Sequence, residues 1–147
     1  MTSSMGNLKS ITLPLLLAFS LLLPFAESDW FMNYHIHITN DLPLRNSPPN
    51  QPNLFLHCKS KKRDIGDRPM MKGQDYTWDT KVNFFRTTLF FCNARWVGHK
   101  RISFDAFEAK RDEKKCLEYH NSCMWSVRAD GIYFSKDDAT WFNAYRW

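Results

Sequence analysis

Five histidines and four cysteines are the residues of this chain best equipped for chemistry. His35 and His37 stand two apart, so in a strand they share one face and could serve as a metal-binding or general acid–base pair. Such a pair would also need orienting carboxylates. The spacing therefore reads first as the solvated side of a strand whose other side carries Tyr34, Ile36 and Ile38. His57 beside Cys58 sets an imidazole next to a thiol, the couple of a cysteine nucleophile. No Gly-X-Ser-X-Gly elbow, no His-Glu-X-X-His motif and no Cys-X-X-Cys occurs in the sequence. With His99 and His120 added, the histidines assemble no hydrolase or nuclease constellation. The chain is read as non-enzymatic, with no catalytic residue, cofactor or metal.

Contact chemistry is the better prospect. Trp78, Trp125 and Trp141 fall in strand-like stretches and are expected to fill a core. Trp96, close to Gly98 in a predicted turn, and Trp147 are the candidates for an exposed, sugar-stacking surface. Two charged stretches could face a partner, because loops on rigid β-scaffolds carry function. Lys110-Arg111-Asp112-Glu113-Lys114-Lys115 nearly balances its charges. Lys61-Lys62-Arg63 has a single sign, and these three are the candidate partner-binding residues.

The positioning elements read as short strands. Phe, Trp, Tyr, Thr and Val are plentiful and helical periodicity is hard to find. Residues 34–39 alternate. Residues 40–53 are rich in Pro and Asn and form an irregular loop. Residues 54–59 make a second strand, and Lys61 to Pro69 a charged loop. Gly73 opens a third strand with Tyr76, Trp78 and Val82 inward. Thr87 to Cys92 is nearly continuously apolar, as in a central strand buried on both faces. A turn spans Asn93 to Lys100, and residues 102–107 alternate again. Glu108 to Lys115 is a loop or a short solvated helix. Residues 123–127, 132–135 and 141–145 close the series, with Asp130-Gly131 as a hairpin signal. The fold class is all-β: a single, mainly antiparallel β-sandwich of about 7–8 strands, stapled by two disulfides.

Compartment follows from the N-terminal segment. Lys9, an apolar run from Ile11 to Leu23 and the small residues near Ala26 and Ser28 have the order of a secretory signal peptide. The apolar run is shorter than the roughly 20 residues that span a bilayer. Residues 1–28 are assigned as the signal peptide, cut after Ser28 or after Ala26, and 29–147 as one domain. All four cysteines lie beyond that point and are expected to be oxidised. Four cysteines allow three pairings. Spacing favours Cys58–Cys92 with Cys116–Cys123, the other pairings staying open. The formal net charge of +5 survives removal of the signal peptide, which carries one Lys and one Glu. It favours acidic receptor surfaces, cell-wall polyanions or anionic headgroups, and nucleic acid does not suit a secreted domain.

An ordered set of short motifs then resembles the plant self-incompatibility S-protein homologue family. The set begins with Ile38-Thr39-Asn40-Asp41-Leu42, Leu56-His57-Cys58-Lys59-Ser60-Lys61 and Asp64-Ile65-Gly66. It continues with Gly73-Gln74-Asp75-Tyr76-Thr77-Trp78, Thr87-Thr88-Leu89-Phe90-Phe91-Cys92 and Phe104-Asp105-Ala106-Phe107. Arg111-Asp112, Cys116, Cys123-Met124-Trp125 and Asp130-Gly131-Ile132-Tyr133 complete it. The Pro/Asn-rich stretch Arg45 to Asn53 and the basic Lys61-Lys62-Arg63 depart from the family's pattern. The His-Gly-Leu-Trp signature of secreted plant ribonucleases is missing. The resemblance implies a β-sandwich, secretion, no enzymatic activity and perception by a plasma-membrane receptor of another cell, as in pollen rejection. The expectation is thus a secreted, monomeric signalling ligand or interaction protein that does not insert into the membrane. The alternative is a secreted defence or cell-wall carbohydrate-binding module.

Overall fold

The computed structural model describes residues 32–147; the expected signal peptide, residues 1–28, and its expected cleavage point lie outside the described residues. Nine strands and one helix follow in order: β1 Asn33–Asn40, β2 Leu54–Lys59, β3 Asp64–Met70, β4 Asp75–Lys81, β5 Leu89–Trp96, β6 Arg101–Glu108, α1 Ala109–Leu117, β7 Ser122–Arg128, β8 Gly131–Ser135 and β9 Phe142–Tyr145. They form a five-stranded sheet, β4-β1-β7-β8-β9, and a four-stranded sheet, β3-β2-β5-β6.

Alternation puts the apolar side of each sheet inward. Tyr34, Ile36 and Ile38 of β1 are buried beside Tyr76 and Trp78 of β4 and Trp125 and Val127 of β7. The facing sheet contributes Leu54, Leu56, Phe90, Cys92, Ala94 and Phe104. Rings meet across the layer: Trp78 with Phe90 at 5.7 Å between centroids and Phe104 with Trp125 at 5.4 Å. Trp125 Nε1 also donates to the Ala106 carbonyl at 2.8 Å, so its one polar atom is satisfied inside the core and ties β7 to β6.

Cys58 and Cys92 are directly opposed on β2 and β5 and are bonded to each other. Cys116 of α1 is bonded to Cys123 of β7. The helix begins where Asp112, 2% exposed, accepts the Glu108 N–H at 2.8 Å and pairs with Arg111 at 2.7 Å. Arg111 reaches on to the Asp105 carbonyl at 2.7 Å and the Tyr145 hydroxyl at 3.0 Å.

The structure corrects several expectations and resolves others. The charged stretch after Lys61 is not all loop, because Asp64–Met70 pairs with β2 as an edge strand. An edge position tolerates Pro69, whose missing N–H faces away from the partner. Thr87 to Cys92 is not a strand buried on both sides: β5 starts at Leu89 and alternates, with Leu89 exposed. Glu108 to Lys115 resolves into helix α1, which runs on to Leu117. Pairing is antiparallel everywhere except between β1 and β7, which run parallel. Among the tryptophans, Trp96 is buried at 3% exposure, because the Arg45 guanidinium, His99 and Trp147 cover its ring. Trp141, expected in the core, is only half-buried with Arg128 over its ring.

The Pro/Asn-rich loop is pinned by a buried amide pair. Asn40 Nδ2 donates to Asn53 Oδ1 at 2.7 Å and to the Met70 carbonyl at 3.1 Å, while its Oδ1 accepts the Leu42 N–H. Asn53 Nδ2 donates to the Pro43 carbonyl. Both side chains are fully buried and hydrogen-bonded.

Candidate functional site

The candidate partner-binding run lies in the turn between β2 and β3. Ser60 builds that turn: its Oγ accepts the N–H groups of Lys62 and Arg63, at 3.3 and 3.0 Å, and its own N–H donates to the Arg63 carbonyl at 2.7 Å. A short hydroxyl competes well for local backbone donors, which is why serine suits this place. Lys61 and Lys62 are left at the tip, exposed and with no ion-pair partner among the described residues. Arg63 differs. Its Nη1 donates to the Asp79 carbonyl of β4 at 2.7 Å, so it braces the turn against the opposite sheet.

A second loop, residues 82–88, stands beside the first. Asn83 organises it, accepting the Thr87 N–H at Oδ1 and donating from Nδ2 to Thr87 Oγ1, both at 2.7 Å. Arg86 adopts a left-handed backbone, φ 55°, and its guanidinium pairs with Glu113 of α1 at 3.0 Å. The outcome is a tip carrying Phe84 and Phe85, 71% and 76% exposed, packed edge to face at 5.4 Å. Composition alone did not separate these two phenylalanines from core residues; the available signal was the polar pair Asn83 and Thr87 flanking them, which the structure shows closed as a clamp. Between the two loops lies a cleft of about 510 Å³ with Lys61 and Lys62 on one wall and Leu89, Phe90 and Phe91 on the other. One end of the sandwich therefore joins positive charge to exposed aromatic surface. That combination suits an acidic partner surface with an apolar anchor.

The histidines are better furnished than their spacing suggested. His35 Nδ1 meets the Asp79 carboxylate at 2.5 Å and His37 Nδ1 meets Asp75 at 2.8 Å. His57 lies between Asp67, 2.7 Å from Nδ1, and Asp64, 2.9 Å from Nε2. The carboxylates come from β3 and β4, which no local reading could place beside β1 and β2. Cys58 is in a disulfide, so His57 has no thiol to activate. His35 and His37 thus have one aspartate each and His57 has two, and among the described residues no cluster of three or more His, Cys, Asp or Glu could hold a metal ion.

Fold and site together define a small disulfide-stapled β-sandwich whose loops present a basic, aromatic contact surface. The chain belongs to the plant self-incompatibility protein S1 family, whose model matches residues 35–147. It is 28% identical to self-incompatibility protein S1 of Papaver rhoeas over 103 residues, 69% of this chain and 72% of that one. It is 39% identical over 97 residues to S-protein homolog 18 of Arabidopsis thaliana, covering 66% of this chain and 69% of the relative. S-protein homolog 2 of the same plant is 33% identical over 116 residues, 76% of this chain and 66% of its own. No solved structure matches.

Proposed function

We propose that this protein is a secreted, non-catalytic ligand perceived by a receptor protein in the plasma membrane of another cell, as the self-incompatibility role of its relatives would have it. The observation that carries the reading is the free basic tip, Lys61 and Lys62, next to the exposed Phe84–Phe85 pair. Charge at the tip draws an acidic receptor surface and the aromatic pair supplies apolar contact. Arg63, first grouped with the two lysines, serves the reading by fixing the turn. Residues 1–28 act as the signal peptide and 29–147 as the mature, monomeric domain. Among the described residues no helix is long and apolar enough to cross a membrane.

The test is saturable binding of the oxidised protein to intact plant membranes, with protease-treated membranes and free glycans as controls. Binding should vanish on protease treatment and resist glycans. The Lys61→Glu/Lys62→Glu variant should associate more slowly and lose most of its salt dependence. Binding that survives protease, or a variant that associates at the unaltered rate, would overturn the reading.

A further inference from the structure

The outer face of the four-stranded sheet holds a cleft of about 820 Å³, larger than the one between the loops and within the size range of small-molecule sites. Strand register arranges its lining in two rows across the sheet. One row is Pro69, Phe55, Arg95 and Arg101, each opposite the next on β3, β2, β5 and β6. The adjacent row is Asp67, His57, Asn93 and Ser103.

The first row contains an unfavourable pairing. Arg95 and Arg101 are direct cross-strand neighbours, and like charges so placed repel. Arg95 lays its guanidinium on the Phe55 ring, 4.3 Å from the centroid. Arg101 is exposed and has no partner among the described residues. An anion bridging the two forks would relieve the repulsion, and a carboxylate matches guanidinium geometry. The second row offers hydroxyl-binding groups instead. Ser103 Oγ donates to Asn93 Oδ1 at 2.5 Å and His57 Nδ1 meets Asp67 at 2.7 Å. Charge thus runs from basic at β6 to acidic at β3, three strand spacings or about 14 Å away. A ligand long enough to span the cleft with a charge at each end would have to face Asp67 with its second charge. A short glycan with one acidic sugar would not.

We propose that this cleft binds a short plant glycan carrying a uronic-acid residue, with the carboxylate on Arg95 and Arg101 and neutral sugar hydroxyls on Asn93, Ser103 and Asp67. Phe55 and Pro69 provide apolar surface for a sugar ring. The site is separate from the loop end and does not depend on the receptor reading.

The experiment titrates the oxidised protein with an aldotetraouronic acid (one glucuronic acid on a xylotriose) and with neutral xylotetraose, read by amide shifts in NMR and by calorimetry. The acidic glycan should saturate, shift amides of β2, β5 and β6, and bind at least about tenfold more tightly than the neutral one, the loss expected for removing one charge-assisted pair. Arg101→Gln, a substitution at an exposed side chain, should abolish that preference. Lys61→Glu/Lys62→Glu should leave it intact. Equal affinity for the two glycans, or no saturation by about 10 mM, would overturn the proposal. So would a preference that follows the loop lysines rather than Arg101, because it would mark non-specific attraction to the basic tip.

Discussion

Replacing each disulfide in turn by a pair of alanines should separate their contributions to stability. Restriction of the unfolded chain grows with the length of the closed loop, by an entropy of about 2.1 + 1.5R ln n cal/mol/K. Cys58–Cys92 joins residues 34 apart and Cys116–Cys123 residues 7 apart. At room temperature the relation gives about 3.8 kcal/mol for the first and about 2.4 kcal/mol for the second. All four half-cystines are fully buried, so the small cavities left by alanine are comparable and largely cancel in the difference. The expected gap is about 1.4 kcal/mol, a tenfold change in the folding equilibrium. Urea unfolding of the oxidised protein and of the two double variants measures it, with m fitted for each because an uncrosslinked chain exposes more surface. Cys58→Ala/Cys92→Ala should be the weaker protein. Equal losses, or a larger loss at Cys116 and Cys123, would refute the reasoning that chain entropy dominates. Cys58 lies two residues before Ser60, so the first variant should also loosen the basic turn, read as faster amide exchange at Lys61 and Lys62.

Three further outcomes are expected. Arg111→Met strands the Asp112 carboxylate, 2% exposed, and should cost about 3–5 kcal/mol in chemical unfolding, part of it restored by adding Asp112→Asn. Gly131→Ala would drive a methyl into the Tyr145 carbonyl oxygen and set it 2.7 Å from the Asn143 amide; β9 should pull away from β8 at a cost of about 1–3 kcal/mol, visible as lost protection at Tyr145. The Asp137 carboxyl is held down to about 2 by the N–H groups of Thr140 and Ala139 and by the Ser135 hydroxyl. A lowered folded-state value gives stability that is present above the ordinary 3.8 and disappears as pH falls through about 2. An NMR titration should find that midpoint, and Asp137→Asn should flatten the corresponding acid limb of the stability curve.

What the sequence made legible was the part of the fold governed by local pattern. The alternation in Tyr34 to Ile38 put the right three residues in the core, and Asp130-Gly131 marked the β7–β8 hairpin. The two sulfur bridges join the cysteines that spacing favoured. Strand β3 escaped because Asp64, Gly66, Asp67 and Pro69 are poor strand formers; its conformation comes from pairing with β2. Trp96 was misjudged because the groups that cover it, Arg45 and Trp147, arrive from far along the chain. The same distance hid the carboxylates of His35 and His37, which β4 delivers 44 and 38 residues later. Of the candidate contact residues, Lys61 and Lys62 were visible as an unbalanced charge run. The brace formed by Arg63, the neighbouring Phe84–Phe85 tip and the opposed arginines of the sheet face all depend on tertiary register.

The parallel pairing of β1 with β7 has a consequence for the order of assembly. The four strands of the sheet β3-β2-β5-β6 all lie within residues 54–108, a stretch that also carries β4 of the other sheet. A growing chain can complete that sheet and its Cys58–Cys92 crosslink early. Strand β1 is made first, yet one of its two neighbours, Ser122–Arg128, is among the last segments made. Its Ile36 and Ile38 side chains therefore wait, paired at most with β4, while more than half the domain is synthesised. Non-local closure of this kind is slow, and a waiting apolar strand invites wrong partners. Synthesis order thus leaves the first strand as the last to be enclosed, and the yield of correctly folded protein should depend more on chaperoning of that strand than on the final stability of the sandwich.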